Sequence, residues 1–523
     1  MVACVLVAAC AAERGVYAAS PSDDPGADLF ASISRIKIEL PPDALASLRR
    51  DAREFVAGTV SDGTTVYSQV AVKLKGGTGS FRSLEEKPAI TLDFCRFQPG
   101  RKFHGLRRVH LNNSVEDPSY TNEKLGSELF QAAGVPAPRV TRALVALNGR
   151  AQGVYVLKEG FTEDFLARHF QKVGGELYEP GNQAHDVDKQ LERVSVAAPF
   201  DKSGAALKKL SRLVGIEAAP EQRWRELEAT LDMKRFVAFM ATEILVGHRD
   251  GYCLARNNYR VYHDLDCDKM VFFPHGMDQL LGTPELPWQP NFSGLVARAV
   301  MSTPEGKEAY AATFGSLLTN VFKVETLTNR VEQLTQELRP LLSAGEFAKV
   351  KAEAEVVKDH IAKRRASLLA QLARPALKPL AFTDGVGHPE GWEITDPPQK
   401  GRLDRVEVEG VAALHILAEK KTTASWRAKV LLPRGHYRFE GRARIAGVES
   451  LASGKYQGAG LRIGGNMREL ATFIGDSPWK ELAADFVVGQ PSQEVELVCE
   501  LRARRGEAWL DLASLRVRKL DDL

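Results

Sequence analysis

Residues able to do chemistry crowd into one segment. From Gly247 to Gln279 the chain reads GHRDGYCLARNNYRVYHDLDCDKMVFFPHGMDQ, with Asp250, the amides Asn257 and Asn258, and Asp278. YRVYHD alternates, LDCD supplies turn residues and KMVFFP is apolar, so the pattern predicts a hairpin turning near Asp266. Closing it sets both asparagines across from His275, Gly276 and Asp278, with Asp250 one loop upstream. Asp and Asn are also common turn residues. Gathered at one end of a hairpin, they are the kit of phosphoryl transfer. A divalent ion takes oxygen ligands from a carboxylate or amide, phosphate and water. A separate aspartate orients and deprotonates the acceptor hydroxyl.

His248-Arg249-Asp250 spells the triplet of a protein-kinase catalytic loop. Its asparagine lies further from the aspartate than in that loop, and no Asp-Phe-Gly follows. The elements that must position these groups are legible upstream. TTVYSQVAVKLKGG is a strand, GGTGSFRSLEEK a Gly/Ser loop, and PAITLDF and GLRRVHLNN two further strands. DPSYTNEKLGSELFQAAGVP predicts a helix capped by Asp117, begun at Pro118 and stopped at Gly134 and Pro136. Two strands around Asn148-Gly149 form a hairpin. Gly76, Gly77 and Gly79 let backbone amides approach phosphate. Lys75 and Lys87 bracket that loop as point charges, and Glu123 or Glu128 on the helix is placed to hold such a lysine. GVYVLKEGFTEDFL would then connect two lobes over the adenine.

The order KLKGGTGSFRSLEEKP, FHGLRRVHLNNSVEDPSYTNEKLGSELFQAAGVPAPR, LNGRAQGVYVLKEG, GELYEP, DGYCLARNNYRVY and FFPHGMDQ resembles the CotH kinase family, named for spore-coat protein H, over residues 35–370. The resemblance implies an α+β, atypical protein-kinase-like two-lobed domain. It would transfer the γ-phosphate of ATP, with Mg2+ or Mn2+, to a Ser or Thr hydroxyl of a protein acceptor. Matched position by position, Asp250 falls on the active-site aspartate, Asn258 with Asn257 beside it on the amide, and Asp278 on the second aspartate of a Pro-Trp-Asp-x-Asp motif. Lys75, Lys87 and Glu159 also match, and with Gly76, Gly77 and Glu123 they make up the expected nucleotide side. One position departs. The motif reads Pro274-His275-Gly276-Met277-Asp278, so its first aspartate is a glycine. The alternative is therefore a catalytically degenerate scaffold or surface protein.

A chain of 523 residues exceeds one core, so two or three domains are expected. Residues 1–30 read as a signal-like segment and linker, and 31–375 as the kinase-like domain, with lobes at 31–158 and 159–375. A Pro-rich linker spans 376–400. Residues 401–523 are short strands between turns, an all-β sandwich of jelly-roll type. In it Trp426, Tyr437, Trp479 and Trp509 either stack on sugars, making it a glycan-binding module, or fill the core. A net charge of +3 supplies no basic face for nucleic acid. Six cysteines without a CxxC pair argue against a structural zinc site, and a Cys253–Cys267 disulfide stays open. MVACVLVAACAAERGVYAAS reads as an export signal, giving a periplasmic, cell-surface or secreted protein, with Cys10 either lipidated or not. Nothing else is apolar for long enough to span a membrane. No Gly-x-Ser-x-Gly or His-Glu-x-x-His motif supports a hydrolase.

Overall fold

The computed structural model describes residues 24–77, 79–181, 184–194, 203–215, 219–374, 377–398, 400–451, 457–464 and 473–520; the signal-like segment with Cys10 lies outside the described residues. The chain divides into two units, Met1–Ala373 and Arg374–Leu523.

Alternation at period two builds the first half of unit one. Its strands are β1 (Ser34–Glu39), β2 (Val56–Ser61), β3 (Val66–Lys75), β4 (Ala89–Asp93), β5 (Arg108–Asn112), β6 (Val140–Leu147) and β7 (Arg150–Glu159). They close a barrel in the order β1-β2-β3-β4-β5-β7-β6, sealed by parallel pairing of β1 with β6. The β6–β7 turn behaves as its residue types demand: Asn148 and Gly149 take φ of 48° and 73°, and Leu147 pairs with Arg150. Val72, Leu74, Ile90, Leu92, Val109 and Leu157 belong to the barrel's core. The alternate residues Lys73, Lys75, Thr91, His110, Asn112 and Lys158 therefore share its outer face. Register aligns them, with Lys73 opposite Thr91, Thr91 opposite His110, and His110 opposite Lys158.

The rest of unit one is mainly helical. Two short helices, α1 (Ala27–Ala31) and α2 (Pro42–Arg50), flank the first strands, and α3 (Asn122–Ala132) lies between β5 and β6. After β7 come α4 (Glu163–Ala167), β8 (Leu177–Glu179), β9 (Glu192–Val194), α5 (Ala205–Gly215), α6 (Pro220–Thr230), α7 (Met233–Leu245) and α8 (Tyr252–Ala255). The predicted hairpin is β10 (Tyr259–Asp264) and β11 (Lys269–Pro274), with Tyr259 opposite Pro274. It extends into a sheet of order β11-β10-β8-β9. Helices α9 (Leu295–Met301), α10 (Pro304–Asn320), α11 (Val324–Gln336) and α12 (Ala344–Leu372) complete the unit. The apolar stripe of α7 is buried all round, and Phe236, Phe239, Met240 and Ile244 pack with Tyr252, Tyr259 and Phe272.

One expectation changes and one open pairing is settled. Helix α3 starts at Asn122 rather than Pro118, because Tyr120 takes a left-handed φ of 58°. Asp117 still caps it across that turn, accepting from Asn122 N at 2.8 Å and Ser119 N at 3.1 Å. The stretch after residue 170 supplies β8, β9 and α5. Cys253 and Cys267 are both free, the first buried and the second exposed on the hairpin turn, so no disulfide joins them.

Unit two holds β12 (Val386–Gly387), β13 (Glu393–Asp396), β14 (Gly401–Val408), β15 (Val411–Ala418), β16 (Thr422–Glu449), β17 (Gly458–Ile463), β18 (Gly475–Ala503), β19 (Arg505–Asp511) and β20 (Arg516–Leu520). The stretches that read as separate short strands merge into β16 and β18, paired antiparallel along most of their length, with register shifts near Pro433 and Ala443. Trp426 and Tyr437 are buried in this unit's core and are not available to sugars.

Arg364 on α12 has no carboxylate partner. It is fully buried, and its guanidinium donates to the carbonyls of Ile244 at 2.7 Å, Leu245 at 3.2 Å, Pro284 at 2.9 Å and Leu286. It thus caps the end of α7 and ties it to the stretch following Asp278. Arg364→Met removes four hydrogen bonds to buried carbonyls, of which those of Ile244 and Leu286 keep other donors, Gly247 N at 3.1 Å and Gln371 Nε2 at 3.4 Å, and we expect a loss of about 2–4 kcal/mol by urea unfolding; an unchanged midpoint would contradict this reading.

Candidate active site

The first turn of α3 places Glu123 at the barrel's polar outer face. Its Oε1 is ion-paired with Lys158 Nζ, and both residues are buried, at 2% and 0% exposure. Glu123 Oε2 accepts from Met277 N at 3.0 Å, and Lys158 Nζ stands 3.1 Å from His275 Nδ1. One carboxylate thereby joins α3, β7 and the chain beyond β11. The lysine it holds is Lys158, not Lys75 or Lys87, and Glu128 binds Arg330 instead, at 2.6 Å. Sequence reasoning missed Lys158 because it follows the helix and reads as one charge in an apolar strand. Its signal was the alternation that puts it opposite His110.

Lys75 lies on the same face and lacks an acid. Its Nζ donates to Asn112 Oδ1 at 2.6 Å. Burial, then the like charge of Lys158, lowers its pKa to about 8. His110 and His275 are held far below the usual imidazole range, first by burial and then by Lys75 and Lys158 respectively. Both are neutral at pH 7. Arg260 of β10 adds another cation to the same field. Facing this charge is Asp278, whose pKa is raised to about 6 by burial and then by Glu123. Asp117 is likewise raised to about 6 by burial, with Asp278 adding to it.

Asp250 stands at the far side. Its Oδ2 accepts from Asn257 Nδ2 at 3.0 Å and Asn258 Nδ2 at 2.5 Å, and Asn258 Nδ2 also reaches the Asp250 carbonyl at 3.1 Å. Asn258 and Gly276 both have left-handed backbone, with φ of 47° and 54°. A Cβ on residue 276 would stand 2.3 Å from Asn258 Oδ1. The amide of Asn258 therefore fills the space that a side chain at 276 would need. His248 is fully buried and its Nε2 bonds the His275 carbonyl at 3.0 Å, so the triplet's histidine anchors the Asp250 loop to the end of the hairpin. Asp117, Asn122, Arg249, Asp250, Asp278 and Thr283 line a cleft of about 740 Å³.

The remaining expected residues stand apart from this cleft. Lys87 donates to Tyr120 Oη at 3.0 Å and lies over the Tyr120 and Tyr155 rings at 4.9 and 5.0 Å; burial lowers its pKa to about 8. Gly76 is left-handed (φ 111°) and close to the Phe81 backbone, while the space beside Gly77 is open. Their loop is pinned by Arg150 to the Glu86 carbonyl at 3.0 Å, and by Asn113 to those of Ser80 and Lys87 at 3.0 Å. Glu159 points to the opposite face from Lys158. It is buried among Arg139 and Arg168, and Arg139 in turn binds Asp24 at 3.0 Å. That network straps α1 to the barrel.

Among the described residues no group of three or more His, Cys, Asp or Glu side chains could hold a metal. The oxygens on offer are the Asp278 carboxylate and the Asn258 amide, a donor set that fits a hard divalent ion sharing its other positions with phosphate and water.

The site thus gathers a carboxylate held by two amides, a second carboxylate and an ammonium whose partner is an amide. The chain belongs to the CotH kinase protein family, whose profile matches residues 72–368. It is 22% identical over 270 residues to the inner spore coat protein H of Bacillus subtilis (strain 168), covering 48% of this chain and 73% of that one. Invasin CotH3 of Rhizopus delemar is 26% identical over 271 residues, covering 46% of this chain and 44% of its own length. Among solved structures, the proinflammatory kinase CtkA of Helicobacter pylori aligns with 55% of this chain and 95% of its own, at 8% identity and a TM-score of 0.28. TmCBM61, solved in complex with β-1,4-galactotriose, aligns with 28% of this chain and all of its own, at 19% identity and a TM-score of 0.19.

Lys158→Met and Glu123→Gln each leave a buried partner uncompensated, and each is expected to cost about 3–5 kcal/mol by urea unfolding, with the double variant well short of the sum. Additive losses would show that the two do not act as a pair. Lys75→Met should do the reverse. The folded pKa of about 8 lies below the ordinary lysine value of 10.5, so the native state sheds its proton first and stability rises with pH between those values. The variant should be at least as stable as the wild type at pH 7 and lose that slope; a strong destabilisation would contradict the charge assignment.

Proposed function

We propose that unit one is an exported, atypical two-lobed kinase that transfers the γ-phosphate of ATP to a Ser or Thr hydroxyl of a protein acceptor. The observation that carries this is Lys75, a partly buried ammonium with only a neutral amide for a partner, among like charges and opposite Asp278. Such a group is costly unless an anion completes it. A triphosphate does so, with Lys158 and Arg260 in the same field. Asp278 and Asn258 would hold Mg2+ or Mn2+, which neutralises phosphate charge when bound. Asp250 accepts the proton of the acceptor hydroxyl. Its Oδ2 takes both amides, and the residue lines the cleft. Export is supported by the apolar leader and by relatives whose names place them in a spore coat or describe them as invasins.

A second reading is favoured by Gly276. With no carboxylate there, metal is held by fewer charges, and the unit would serve as a scaffold beside a β-sandwich that binds glycan through its remaining aromatics. Incubating the pure protein with γ-labelled ATP, Mg2+ or Mn2+ and a mixed protein acceptor separates the two. The kinase reading expects labelled Ser or Thr, lost by about 10²–10⁴-fold in Asp250→Asn. No label with either metal would leave the scaffold reading.

Nucleotide affinity should also be pH-dependent. Lys75 is cationic below about 8 and Asp278 is charged above about 6, so affinity is level between those values and falls by up to about tenfold per unit above 8. Calorimetric titration with ATP and Mg2+ at pH 7 and 9 measures this, and equal affinities would exclude Lys75 from the phosphate site.

A further inference from the structure

Register brings three chain ends together at one edge of unit two. Thr422 at the start of β16 pairs with Ala503, and Glu449 at its end pairs with Arg505. The turn before β16 and the junction between β18 and β19 are therefore neighbours. Each carries a tandem pair of cations, Lys420-Lys421 and Arg504-Arg505, and with Glu419, Glu449 and Leu451 they line a concavity of about 430 Å³. The four cations face two carboxylates. Arg505 is paired with Glu449 at 2.5 Å, and Arg504 Nε bonds the Leu451 carbonyl at 3.3 Å. Lys420 and Lys421 are exposed, and among the described residues they make no hydrogen bond or ion pair. Two turns distant in sequence thus converge four cations on one hollow against two carboxylates, an excess of positive charge carried by Lys420 and Lys421.

We propose that this hollow binds a carboxylate-bearing polysaccharide. Guanidinium and ammonium groups match carboxylates, the fork of an arginine in particular. The concave form suits one or two sugar units better than a flat lipid surface. Among the described residues no aromatic lines it, and stacking nucleic-acid bases need such a platform. Leu451 supplies an apolar contact for a ring face. The proposal rests on reading unit two as a glycan-binding module and names the site and the sugar class.

The test uses the full chain in affinity electrophoresis with polygalacturonate, its methyl ester and neutral hydroxyethyl cellulose. Lys420 and Lys421 make no bond within the protein, so Lys420→Glu with Lys421→Glu leaves the fold intact, and unchanged circular dichroism checks this. The expected result is binding to polygalacturonate alone, weakened by salt and lost by about tenfold or more in the double variant. Arg504→Ala should weaken it in the same direction. Equal binding by wild type and double variant, or of acid and ester, overturns the hollow but leaves the glycan reading. Retention by none of the polymers overturns both. Binding only to vesicles containing phosphatidylglycerol would assign the cations to a lipid surface and overturn the proposal.

Discussion

Unit one turns on a buried ion pair. Lys158 and Glu123 are drawn from a barrel strand and a helix that have no other reason to meet, and neither is reachable by water. A pair so buried is poor evidence of stability, because its desolvation cost rivals its attraction. Its value is positional. Glu123 spends its second oxygen on the Met277 amide, and so fixes the chain between β11 and Asp278. His248 grips the same stretch through the His275 carbonyl. Asp278 is consequently set relative to the barrel, and Asp250 relative to Asp278, by groups that do not themselves carry the proposed reaction.

The same face shows why the charges are apportioned as they are. Glu123 neutralises Lys158 and Glu179 pairs with Arg260, but Lys75 is left with Asn112. Both histidines nearby remain neutral under this field. The net excess is positive where a polyphosphate would lie, and the carboxylates collect on the side where a cation and a hydroxyl would be handled. At Gly276 the missing side chain leaves room for the Asn258 amide to close on Asp250.

Much of this was legible in sequence because it is local. The β10–β11 hairpin, the Asn148-Gly149 turn and the meeting of Asn258 with Gly276 follow from alternation and turn chemistry. The partner of Glu123 was not legible. Any of several lysines had a suitable charge, and only the pairing of β5 with β7 decides that Lys158 lies beside His110. Glu159 misled for the same reason. One residue along a strand reverses the face, and the arginines that claim it come from residues 139 and 168. In unit two, the short strands read from sequence merge, and a register shift between Pro433 and Gly435 carries the sheet through.

The most direct test is a thermal shift of the mature protein with ATP and Mg2+ or Mn2+, repeated on Lys75→Met. The account predicts stabilisation of the wild type, about 2.7 kcal/mol at a hundredfold excess over the dissociation constant, and none in the variant. A wild type that does not shift with either metal, or a variant that shifts equally, would contradict the assignment of this cation to phosphate.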